Sequence, residues 1–191
     1  SEEVLARYHV SALFTWGTLT HYKHYLPRIL ELYTHKRKDA LVDLYDIGHK
    51  LADADWPAWP HGEVQALKDF VMADWMDFAN NNISQIVESD FENYTQFFPL
   101  ETLLQNWRIS QSDIAFRNFV PFIYTYGNKL LSSRFTLNGQ NFSSELIKWI
   151  DSKELTLRLQ EAFFIQEPTD KDFAEQVSVV LQMIEQAFQQ K

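Results

Sequence analysis

A chain of 191 residues in which 46% are hydrophobic and 15% aromatic carries more apolar side chain than a disordered segment, so it folds around a substantial core. Five Gly and six Pro argue against a many-turned β architecture, and the absence of Cys excludes disulfides, thiolate metal sites and cysteine nucleophiles. A net charge of −9 repels phosphate backbones, so nucleic acid is not an expected partner.

The opening Ser1-Glu2-Glu3 is acidic and leads into a helical pattern rather than an apolar leader. Even the longer apolar runs, such as Phe119 to Tyr124, fall far short of a membrane span, so the expectation is a cytoplasmic protein without a membrane partner. Next comes a helical segment around Tyr22 to Leu30 that contains Pro27, followed by a run in which Leu41, Leu44, Tyr45, Gly48 and Leu51 recur at helical steps. Opposite that apolar stripe lie Asp39, Asp43, Asp46, Lys50 and Asp53, with Asp46 four residues before Lys50 as a favourable pair. Trp56-Pro57-Ala58-Trp59-Pro60 interrupts helix, because each proline lacks an N–H and restricts the residue before it.

Residues 63–78 resume the helical pattern with Val64, Leu67, Val71, Trp75 and Phe78. Asn138-Gly139, flanked by Phe135, Leu137 and Phe142, reads as a small hairpin or a turn. Ser143 and Glu145 open a helix through Leu146, Ile147 and Ile150, and another covers 153–165. Pro168-Thr169-Asp170 places a capping Thr before a last helix whose stripe is Phe173, Val177, Val180, Leu181, Ile184 and Phe188. Trp16, Trp75, Trp107 and Trp149 lie in helical patterns and read as core.

A weak internal repeat links the two ends of the chain. Leu13 and Trp16 match Leu104 and Trp107. After a three-residue insertion, Tyr22-Lys23-His24-Tyr25-Leu26-Pro27-Arg28-Ile29-Leu30 matches Phe116-Arg117-Asn118-Phe119-Val120-Pro121-Phe122-Ile123-Tyr124. The expected fold is all-α: about eight antiparallel helices in a single domain, 1–191, with two weakly similar halves, about 1–95 and 96–191. These halves would form an α-α superhelix like that of HEAT-type repeats, or a compact bundle. The segment Trp16 to Leu30 and the later Trp59 to Leu67, running to Trp75, resemble a group of uncharacterised bacterial helical proteins. The resemblance covers about the first 80 residues well, implies a helical-repeat fold in a bacterial cytosol, and carries no catalytic residue over.

No Gly-x-Ser-x-Gly, HExxH or phosphate-cradling glycine loop occurs, so neither a catalytic residue nor a cofactor is expected. All six His, namely His9, His21, His24, His35, His49 and His61, fall in the first third. Asp43, Asp46 and His49 have the three-residue spacing that lets helical side chains converge on a divalent metal, but a solvated helix face explains these acids without any ligand, and no metal is expected. His21, His24 and Arg28, with Lys23, would hold a small acidic ligand, or else are the surface residues of a core helix. Bases gather at Lys23, Arg28, Lys36, Arg37 and Lys38, a pattern usual for a helix end, whereas residues 39–92 are strongly acidic.

The first functional expectation is a non-enzymatic module that binds another protein. Trp56 and Trp59 would be its anchors, and Asp43, Asp46 and Asp53 would steer a basic partner. The alternative is a small-ligand or divalent-metal-dependent enzyme with its pocket between helices.

Overall fold

The computed structural model describes residues 1–13, 15–35 and 42–189. Helix takes up 74% of the chain and strand 3%, so the protein is all-α. Ten α-helices occur among the described residues: α1 (Glu2–Ser11), α2 (Leu19–His35), α3 (Leu44–Asp53), α4 (His61–Asn80), α5 (Glu88–Thr95), α6 (Leu100–Asn106), α7 (Asp113–Leu131), α8 (Ser143–Ile150), α9 (Lys153–Gln166) and α10 (Lys171–Gln189). A 3₁₀ turn spans Trp56–Ala58. The expected count of about eight is too low. Helices α5 and α6 are only about two turns long, too short to display a stripe, and Pro99 separates them. Of the basic run, Lys36, Arg37 and Lys38 lie outside the described residues, as do Asp39 and Leu41 of the expected α3 stripe.

The chain divides into two compact units, Ser1–Lys68 and Asp69–Lys191, and the boundary falls within α4. This is a different division from the repeat halves of 1–95 and 96–191, which rest on sequence similarity alone.

In the first unit, Asp43 caps α3, its carboxylate accepting from the Asp46 N–H at 2.7 Å. Tyr22, Leu26, Ile29 and Leu30 of α2 are buried at three- and four-residue steps, as are Leu44, Ile47 and Leu51 of α3. Pro27 lies inside α2 rather than at its first position.

In the second unit, α7 and α9 each begin at a serine cap, Ser112 accepting from the Ala115 N–H and Ser152 from the Leu155 N–H. Asp170, not Thr169, caps α10: its carboxylate accepts from the Phe173 N–H at 3.3 Å, while the Thr169 hydroxyl turns back to the Gln166 carbonyl. A two-residue hairpin pairs β1 (Thr136–Leu137) with β2 (Gln140–Asn141), and its turn residues Asn138 and Gly139 both have positive φ, as a primed turn requires. Helix α10 packs on α7 and α9, and α8 on α7. The α7–α10 contact is close at Gly127, where a Cβ would lie 2.5 Å from the Met183 sulfur.

The core of this unit is aromatic. Trp75, Phe91, Trp107, Phe119, Phe122 and Phe135 are fully buried, and half-buried Trp149 stacks on Trp107 at 5.4 Å. Their ring pairs lie 5 to 6 Å apart at steep angles, the arrangement that the ring quadrupole favours. The Trp75 indole donates to the Leu103 carbonyl at 2.9 Å, which joins α4 to α6.

Candidate functional site

The acidic and histidine residues singled out from spacing do not assemble a metal site. The Asp43 carboxylate is engaged as the α3 cap, the His49 ring packs edge-on against Tyr45 at 4.3 Å, and all three of Asp43, Asp46 and His49 face solvent. No group of three His, Asp or Glu among the described residues is placed to hold a metal ion. Spacing alone put these three on one helix, and capping chemistry uses the first of them.

The anion reading fares no better. His21 caps the start of α2 reciprocally with Thr18, each side chain receiving the other's backbone N–H at 3.4 Å. His24 packs edge-on against Tyr25, and Arg28 pairs with Glu31 and lies 3.9 Å from Glu2. Lys23 bonds Glu63 at 2.5 Å and sits 4.0 Å above the ring of Trp59. Thus Lys23 and Arg28 already have carboxylate partners.

Of the two proposed anchors, Trp56 is buried, at 7% exposure, so it belongs to the core and cannot meet a partner. Trp59 is half-buried, its indole donates to the Ala54 carbonyl at 3.0 Å, and its face is covered by Lys23. Asp53 is exposed. Trp16 also departs from expectation. At 72% exposure it lies outside any helix, in the turn between α1 and α2 where Leu13 and Gly17 have positive φ.

Inside the first unit lies a polar cluster that spacing did not suggest. His9 of α1 is 0% exposed, stacks on Tyr22, and has its Nδ1 3.5 Å from the Tyr22 hydroxyl, while its Nε2 has no hydrogen-bond partner among the described residues. Burial pushes the imidazole down to about 4, and nearby Lys50 adds to the shift while Asp43 opposes it. Burial likewise pushes the Tyr22 phenol up. Lys50 does not lie on the solvated stripe of α3. It is buried, and its ammonium donates to the Val10 and Ala12 carbonyls at 3.2 and 2.9 Å. Those carbonyls end α1, so Lys50 closes the negative end of that helix. This role accounts for a buried lysine without any substrate.

The second unit holds a groove of about 790 Å³ between the N-terminal half of α7, the length of α9 and the start of α10. Its floor is Phe116 and Phe173, ring centroids 6.3 Å apart, and each carries an arginine: Arg158 over Phe116 and Arg117 over Phe173, both at 4.6 Å. The guanidinium groups are fixed from the sides as well. Arg158 donates to the Ile109 carbonyl at 2.8 Å and to Asp113 at 2.7 Å, and Arg117 to Gln166 at 2.9 Å and Asp170 at 3.2 Å. Along α9 the groove-lining positions are Glu154, Leu157, Arg158, Glu161, Ala162, Ile165 and Gln166, one helical face. Leu157 and Ile165 are 49% and 66% exposed, and Phe164 beside them is exposed too. Glu154 and Glu161 make no ion pair among the described residues, so the surplus charge of the wall is negative.

None of these groove residues was singled out from sequence as a site residue, although Phe116 and Arg117 belong to the repeat match and Phe173 to the last helix's stripe. The available signal was α9 itself, where Leu155 and Leu159 serve the core while Leu157, Phe164 and Ile165 point elsewhere, an apolar surplus that one core-facing stripe does not need. No protein-family model matches the chain, and no curated protein or solved structure is significantly similar to it.

Proposed function

We propose that this protein is a non-enzymatic helical interaction module and that it receives a segment of another protein in the groove of its second unit. The observation that carries this reading is the solvent-facing apolar wall of Leu157 and Ile165 above a floor of two arginine-capped phenylalanines. Large apolar side chains grouped along a groove mark surfaces that a partner covers. Arg117 and Arg158 are locked in place, so the groove is preformed and little ordering cost falls on binding. Docking thus shifts from the tryptophan-proline loop to α9, because Trp56 is core.

Two related halves in a helical-repeat arrangement remain part of the proposal. In support, Pro27 and Pro121 each stand eight residues into a long helix, α2 and α7, flanked by matching buried positions such as Tyr22 and Phe116. The setting proposed is bacterial and cytoplasmic, on the resemblance read from Trp16 to Leu30 and from Trp59 to Trp75. No helix among the described residues is long and apolar enough to cross a membrane. The acid excess favours a protein partner over a nucleic acid.

The test is a display library of random helical peptides panned against the full chain and counter-screened against Leu157→Ser/Ile165→Ser. Both positions are exposed, so the variant keeps its fold, which circular dichroism checks. Enriched peptides that lose binding to the variant support the reading. Enrichment that ignores the substitution, or none at all, sinks it.

A further inference from the structure

Resting on the groove as docking surface, we infer that its occupant is a basic amphipathic helix, with apolar side chains set against Leu157 and Ile165 and Lys or Arg set against Glu154 and Glu161. The charges in the groove decide this. Arg158 and Arg117 would invite an anion if they were free, but each has a carboxylate on its edge, Asp113 and Asp170, and an aromatic ring under its face. What the wall still offers is Glu154 and Glu161, exposed and without an ion pair among the described residues.

Geometry adds the helical form. Glu154 and Glu161 stand seven residues apart on one face of α9, roughly 10 Å along its axis. Leu157 and Ile165 interleave with them, so the wall alternates acid and apolar groups over three turns. A partner helix laid along α9 with bases seven residues apart and leucine-sized residues between them matches both spacings, the helix-in-groove mode of recognition. A second copy of this chain fits poorly, because a two-fold contact would bring the acids of α9 towards their own counterparts on a molecule of net charge −9.

The experiment uses the full chain and three labelled 16-residue helical peptides that share one leucine face and carry Lys, Gln or Glu at positions seven apart, read by fluorescence anisotropy. The Lys peptide is expected to bind about five-fold more tightly than the Gln peptide, with the Glu peptide weakest. Glu154→Gln/Glu161→Gln should remove that five-fold advantage and leave the Gln peptide unchanged. Equal binding of Lys and Gln peptides, both lost in Leu157→Ser/Ile165→Ser, would overturn the basic partner while leaving the docking surface in place. Binding of all three that is indifferent to Leu157→Ser/Ile165→Ser would overturn the docking surface and this inference together.

Discussion

His9 and Tyr22 lie face to face, ring centroids 6.1 Å apart and planes 24° from parallel, with the imidazole Nδ1 3.5 Å from the phenol oxygen. The pair joins α1 to α2, and burial keeps the imidazole neutral. Unfolded, His9 titrates near 6.5; folded, at about 4. Between those values the unfolded chain holds the extra proton, so stability falls as pH falls through that window, by about 3 kcal/mol in all. Asp46 and Asp90 act with the opposite sign, since desolvation raises both carboxyls and their folded forms take up protons more readily. Urea unfolding followed by tryptophan fluorescence at pH 7 and pH 5 should show a lower midpoint at pH 5, and His9→Gln should flatten the difference. An unchanged slope in the variant would place the pH dependence elsewhere.

Lys50 is expected to matter through α1 rather than α3. Lys50→Met keeps the aliphatic stem but leaves the Val10 and Ala12 carbonyls without their ammonium donor, at a cost of about 2 kcal/mol. Amide exchange should locate the loss in the last turn of α1. Uniform exchange across both units would point to global destabilisation instead.

Long helices were legible because their stripes are long. Val64, Leu67, Val71 and Trp75 of α4, and Phe173, Val177, Val180 and Ile184 of α10, repeat over enough turns to exclude other periods, and every one is buried or half-buried. Trp16 and Trp107 both lie outside helix, Trp107 just past the end of α6, yet only Trp107 is core. Left-handed backbone at Leu13 and Gly17 sets Trp16 in a turn, a feature that helical spacing does not show. The groove was illegible for a different reason. Phe116 of α7 stands 42 residues before Arg158 of α9, and only packing brings an arginine of α9 over a ring of α7. The His-rich first third attracted attention, yet chemistry-bearing residue types there serve caps, ion pairs and the buried His9–Tyr22 pair.

Trp56 and Trp59 should separate sharply under substitution. Trp56→Ala empties a core position and is expected to cost about 3–5 kcal/mol, whereas Trp59→Ala removes a half-buried ring and one hydrogen bond at about 1–2 kcal/mol. Denaturation midpoints of the two single variants decide it. Similar small losses would return Trp56 to the surface and restore it as a candidate anchor.

Asn118 is the polar residue on which the second unit's α4–α5 connection depends. Its side-chain oxygen accepts from the Ser84 N–H at 2.8 Å, and its amide nitrogen donates to the Ala79 and Asn82 carbonyls at 3.1 and 2.7 Å. One buried side chain thus satisfies the Ala79 carbonyl in the last turn of α4 and two backbone groups of a connection that has no ladder or helix of its own to do so. Asn118→Leu fills similar volume yet strands all three groups, so a loss of about 3 kcal/mol is expected. Asn118→Asp should cost at least as much at neutral pH, because it sets a buried carboxylate oxygen against the Ala79 and Asn82 carbonyls and can donate to neither. Residue-level amide exchange would show the Ser84 N–H opening first in Asn118→Leu. Retained protection there, with the full stability loss, would mean that the connection is held by Ile86, buried nearby in sequence, rather than by the amide.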